Sequence, residues 1–149
     1  MKIILLITIC LFVFSCTNED KTNYPEGFVL DNDVWISVRD SKGRDLLNPS
    51  NENAFYQYNL RVFTVREGKK VEILDENSYK IAKLDTASYY LHLSCGYTTY
   101  VEWNKNDTDT LVCTFQKTPN IFSLRSIEYN GKLVQITRLR GPKEISIIK

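Results

Sequence analysis

From Val34 onward, apolar and polar residues alternate with a period of two almost to the end of the chain, the signature of strands buried on one face. The stretch VWISVRD sets Val34, Ile36 and Val38 on one side and Trp35, Ser37 and Arg39 on the other. A Gly-containing turn, DSKGRD, and an Asn-Pro loop, LLNPSNEN, separate it from QYNLRVFTVR, in which Tyr58, Leu60 and Val62 alternate with Asn59, Arg61 and Phe63. EGKK turns the chain into VEIL, and SYKIAKL leads to ASYYLHLSC, where Tyr89, Leu91, Leu93 and Cys95 share a face opposite Tyr90, His92 and Ser94. After Gly96, YTTYVEW groups Tyr97, Thr99, Val101 and Trp103; the hairpin-length loop NKNDTD follows, and TLVCTFQK aligns Leu111, Cys113 and Phe115. Asn130-Gly131 predicts a two-residue type I′ hairpin. EISIIK is expected to close the sheet as a last edge strand.

No segment has a helical period, and no repeat or low-complexity tract interrupts the pattern. About eight or nine short strands rich in Val, Ile, Thr, Tyr and Phe predict an all-β fold, an antiparallel β-sandwich of immunoglobulin-like kind, with a closed antiparallel β-barrel as the alternative. If the strands around Cys95, Tyr100 and Cys113 form a meander, the two cysteines lie two strand spacings apart, roughly 9.6 Å. A disulfide needs its Cα atoms within about 7 Å, so two buried thiols are expected; a strand crossing to the facing sheet would bring a bridge into reach.

The first residues break the alternation. Lys2 precedes an apolar run from Ile3 to Phe14, too short for the roughly 20 residues that span a bilayer, and Ser15-Cys16 ends it. A basic start, a short apolar core and a small residue before the break describe a signal peptide over 1–15. VFSC resembles the lipobox of bacterial lipoproteins, which implies that Cys16 carries acyl chains of the palmitate type, becomes the first residue of the mature protein and is its membrane anchor. Residues 16–28, polar with a Pro and a Gly, read as a tether to a single domain over 29–149. The following TNEDK is similar to short acidic signals that send lipoproteins to the exterior of a Gram-negative outer membrane; this implies surface display, with the periplasmic leaflet as the alternative.

The full chain has a formal charge of +1, and loss of Lys2 leaves it neutral, which argues against nucleic acid as a partner. From Lys117 to Lys149, however, basic residues outnumber Glu128 and Glu144; an anionic polysaccharide or lipid headgroup would suit them, as would simple solvation of strand faces. His92 is the only histidine and stands between two leucines in a strand, where a structural role is expected over catalysis. The chain has no Gly-x-Ser-x-Gly elbow, phosphate-cradling loop or CxxC, and no cofactor is implied. The acidic loops DND (31–33) and NKNDTD (104–109) lack the Gly and terminal Glu of an EF-hand, so turn chemistry explains them better than calcium. Tyr90, Tyr97, Tyr100 and Trp103 are candidates for an aromatic platform against a sugar ring, the alternative being division between core and sheet face.

DTA and DTL resemble the Asp-Thr-small or apolar sites at which some Gram-negative bacteria glycosylate exported proteins, which would implicate Thr86 and Thr110. ISVRDSKGRDLLNPS, YVEWNKNDTDTL and IEYNGK resemble segments of small lipoprotein families of uncharacterised function, which implies a β-rich exported domain and no particular activity. These readings converge on a non-enzymatic, lipid-anchored envelope protein that binds a glycan or another envelope protein. The alternatives are a subunit of a surface assembly pairing through EISIIK, or a hydrolase of unfamiliar type using His92.

Overall fold

The computed structural model describes residues 27–75, 77–83, 88–138 and 142–149; the predicted signal peptide, Cys16 and Thr86 lie outside them. The alternating pattern becomes strands β1 (Val29–Asp31), β2 (Asp33–Arg39), β3 (Arg61–Arg66), β4 (Lys69–Glu72), β5 (Tyr79–Lys83), β6 (Tyr89–Ser94) and β7 (Thr98–Asn104). There follow β8 (Asp107–Lys117), β9 (Ile121–Tyr129), β10 (Lys132–Val134), β11 (Thr137–Arg138) and β12 (Lys143–Ile148). The only helical turn among the described residues is a single 3₁₀ turn, Gln57–Asn59.

The fold is an all-β sandwich. One sheet has the order β1-β9-β8-β7-β3-β4, with β10 also on β9, and the facing sheet has the order β11-β12-β2-β6-β5. Two extended runs change sheets, β1 into β2 at Asn32 and β10 into β11, and they draw the sheets together along one side. Those passages create two parallel pairings, β1 with β9 and β12 with β2, in an otherwise antiparallel structure.

Two local expectations are corrected. EISIIK is not an edge strand: β12 lies between β11 and β2, with Ile145 and Ile147 turned into the core. Nor do β6, β7 and β8 form a meander, because Gly96 carries the chain from the second sheet to the first. A Cβ on Gly96 would sit 2.7 Å from Thr64 Oγ1, so the crossing there requires a residue without a side chain. Cys95 and Cys113 therefore face each other across the sandwich as buried thiols and are not separated by an intervening strand.

The core is assembled from the inward faces read in the sequence. Val34, Ile36, Val38, Leu91 and Leu93 of the second sheet meet Val62, Val101, Leu111, Leu124 and Ile127 of the first. Each such burial contributes about 1.5–3 kcal/mol. Leu124 and Ile127, three apart, would fall on opposite faces of a regular strand; a bulge after Thr114 of β8, where Arg125 is the extra residue of β9, turns both inward. Asn130 and Gly131 have φ of 48° and 77°, so the β9–β10 hairpin has the left-handed pair that its Asn-Gly sequence predicts.

Candidate ligand-binding site

One end of the sandwich carries a built loop. Asp40 opens it by accepting hydrogen bonds from the amides of Lys42 (2.9 Å) and Arg44 (2.8 Å), with the Arg44 guanidinium at 2.6 Å. Desolvation opposes ionisation, but these donors outweigh it and hold the Asp40 carboxyl below its ordinary value. Asp45 then accepts from the amides of Leu47 (2.9 Å) and Tyr89 (3.0 Å), tying the loop to β6, while its carbonyl accepts from Asn51 Nδ2 (2.8 Å). Leu46 and Leu47 are buried beneath these turns and anchor the loop to the core.

The loop delivers three aromatic residues in succession. Phe55, whose amide donates to the Leu46 carbonyl at 2.7 Å, stacks on Trp103 with ring centroids 5.0 Å apart. Tyr56 and Tyr58 stack on each other at 5.3 Å and 20° between planes. Tyr58 is 80% exposed. Between them Gln57 Oε1 accepts from the Ile81 amide at 2.6 Å, pinning the 3₁₀ turn to β5. The exposed pair is thus held from both sides before any ligand arrives.

Four clefts meet at Tyr58. One of about 540 Å³ is lined by Arg44, Asn53, Phe55, Asn59, Trp103 and Asn104, within the size range of ligand pockets. A second is bounded by Arg61, Glu102, Lys105 and Asn106, a third by Gln57, Asn77, Tyr79 and Lys80, and a fourth by Pro49, Tyr56 and Tyr89.

A buried charged network fixes the floor. Asp109 accepts from Trp103 Nε1 and from Asn130 Nδ2 (2.8 Å), and Lys149 Nζ lies 2.8 Å from its carboxylate. The Lys149 ammonium also stands over the rings of Phe55 (5.6 Å) and Trp103 (5.5 Å). Burial works against the Asp109 charge, yet Lys149 and the donors Tyr129, Asn130 and Trp103 prevail and hold its carboxyl below the ordinary value. Burial and then the hydrogen bond to Asp109 push the Tyr129 phenol far up. Asp107 and Asp109 of the acidic loop are thus committed to Lys149, and Asp31 of the other acidic loop to Lys143. Among the described residues no group of three or more His, Cys, Asp or Glu side chains is arranged to hold a metal ion.

The four aromatic residues singled out from the sequence are not brought together. Trp103 is 1% exposed and serves as the cleft floor, while Tyr97, 64% exposed, packs edge-on against Phe115 at the opposite end of β7. Tyr100 sits on the outer face of the first sheet beside the Lys70 ammonium, and Tyr90 on that of the second sheet against Trp35. His92 lies beside Trp35 (5.0 Å), with Nε2 3.6 Å from Asp33, and its Nδ1 is buried with no hydrogen-bond partner among the described residues. Thr110 is half-buried in mid-strand, its backbone bonded on both sides to Asn130. Tyr58, grouped by the alternation with Leu60 and Val62 in one strand, instead belongs to the exposed turn. The cue in the sequence was AFYQYN, three aromatic residues within four directly after a polar Asn-rich loop.

Compared with known protein families, curated proteins and solved structures, the chain matches none.

Proposed function

We propose that this domain is a non-enzymatic binding module that takes a glycan on the Tyr56–Tyr58 face. It is carried at the outer membrane of a Gram-negative bacterium, on the cell-surface side, by acyl chains on Cys16. Within this reading the sandwich is of immunoglobulin-like kind, binding through loops at one end. The observation that carries it is the stacked Tyr56–Tyr58 pair, exposed yet immobilised by Gln57, Phe55 and the Asp45 turns. Rigid aromatic side chains supply contact area at little entropic cost, and the stack gives a sugar ring an apolar face to lie on. The rim amides of Asn53, Asn59, Asn104 and Asn106 each offer donors and an acceptor, the complement of sugar hydroxyls. Arg44 and Arg61 at the same rim are each paired with carboxylates, Asp40 for the first and Glu72 and Glu102 for the second, so the rim favours a sugar through hydrogen bonds and not through net charge.

The test is a glycan panel probed with the full chain and with Tyr58→Ala. Saturable binding that falls by roughly tenfold or more in Tyr58→Ala is expected, about 1.4 kcal/mol or above. Absence of saturable binding to every glycan, or binding that Tyr58→Ala leaves unchanged, contradicts the assignment. The anchor is tested separately by intact mass of the native protein, where Cys16 should carry acyl chains and Cys16→Ala should release the domain from membranes.

A further inference from the structure

At the end of the sandwich away from the tyrosine loop, two sulfurs meet. Cys95 is the last inward residue of the Leu91, Leu93, Cys95 series on the second sheet, and Cys113 extends Asp109 and Leu111 inward from the first. The backbone fixes their approach twice. The Cys113 amide donates to the Tyr97 carbonyl at 2.8 Å, two residues past Cys95, and the Cys95 amide donates to the Asn32 carbonyl at 3.0 Å while Asn32 Nδ2 returns a bond of 3.1 Å to the Cys95 carbonyl. The side chains are 2% and 3% exposed, and the Cys95 thiol hydrogen-bonds Cys113. As acceptor, Cys113 has its thiol drawn below the ordinary value although burial acts the other way.

We infer that Cys95 and Cys113 are a disulfide site, oxidised to a covalent link between the two sheets when the protein folds in an oxidising compartment. The oxidant is a small or protein-borne disulfide: its S–S bond breaks and takes up two electrons and two protons as two thiols, while Cys95 and Cys113 lose the same and form one S–S bond. Exchange takes place before the core closes, because the finished site admits no reagent. The link staples the Gly96 crossing to the middle of β8, the place where the chain's change of sheet depends on a close contact and not on strand pairing. It closes a loop of moderate length, for which a stabilisation equivalent to a melting-temperature rise of roughly 10 °C is expected.

Trypsin makes the test direct, since cleavage after Lys83, Lys105 and Lys117 puts Cys95 in peptide 84–105 and Cys113 in 106–117, while Cys10 and Cys16 fall in 3–21. The full chain is reduced, unfolded, refolded with an excess of glutathione disulfide, alkylated and digested without reductant. The expected product is a single species joining 84–105 to 106–117, which separates on reduction. Both peptides recovered alkylated, either one carrying glutathione, or either one joined to 3–21 would overturn the assignment. In parallel, reductant should lower the melting temperature of the oxidised chain and leave a Cys95→Ala/Cys113→Ala variant unmoved. Equal stability of the oxidised and reduced chains would show that no such staple exists.

Discussion

The two ends of this sandwich arrange the same residue types in different surroundings. At the end where β7 turns into β8, aromatic rings are lifted out: Trp103 and Phe55 form a floor, and Tyr56 and Tyr58 stack above it in solvent. At the end where Gly96 crosses between sheets, the rings pack on one another: Phe115 and Phe122, both half-buried, stack at 4.4 Å, and the exposed Tyr97 lies edge-on against both. Each end also holds a lysine by carboxylates. Lys149 is shared by Asp107 and Asp109 beneath the tyrosine loop, and Lys143 is held by Asp31 beside the β1–β2 passage. The difference lies in what surrounds the rings. Asn-rich turns and clefts frame the first set, whereas sheet crossings and two facing cysteines frame the second; under the function proposed above, the first end meets a ligand and the second holds the sheets together.

The contrast is broken most severely by removing the floor of the first end. Asp109→Ala leaves Trp103 Nε1 without its acceptor and the half-buried Lys149 short of a carboxylate, and a loss of about 3 kcal/mol is expected in urea unfolding. Gly96→Ala at the second end forces a Cβ against Thr64 and should cost about 1–3 kcal/mol, part of which returns in Gly96→Ala/Thr64→Ala, where the clashing hydroxyl is gone.

The titrating groups sharpen the comparison, because those with the buried network belong to the first end. Asp109 has a folded-state value below the unfolded one of about 3.9, so its contribution is present above that pH and is lost as pH falls through the folded value. Tyr129 is shifted the other way; its contribution is present below its unfolded value of about 10 and is lost as pH rises beyond it. Asp109→Asn should flatten the acid limb of the stability profile and Tyr129→Phe the alkaline limb. The smallest effect is expected at Arg61, whose paired bonds to Glu72 (2.9 and 2.7 Å) lie on the exposed sheet face. Arg61→Ala should change stability by no more than about 1 kcal/mol, and less as salt is added.

Much of the strand content was legible because period two is a local property: Val34, Ile36 and Val38, or Leu91 and Leu93, point inward wherever their strand is placed. Asn130-Gly131 was legible for the same reason, since its turn is set by two backbone conformations. What the alternation does not encode is which strand lies beside which. β6 and β7 are separated by a few residues yet belong to different sheets, and EISIIK, apolar enough for either place, is flanked by β2 through a long-range parallel pairing and by β11 through a short antiparallel one. The thiol pair was left open by the same gap, because its contact depends on that change of sheet. The tyrosine loop was hidden by a different one: alternation extended through Tyr58 by one turn too many, when Asx turns and a 3₁₀ turn had already replaced the strand.

The most direct measurement is a calorimetric titration of the best ligand from the glycan panel into three forms of the full chain: wild type, Tyr58→Ala and Tyr97→Ala. The account predicts that Tyr58→Ala loses affinity by tenfold or more, while Tyr97→Ala, an exposed tyrosine at the other end, binds as the wild type does. Equal losses in both variants, or a loss confined to Tyr97→Ala, would contradict it.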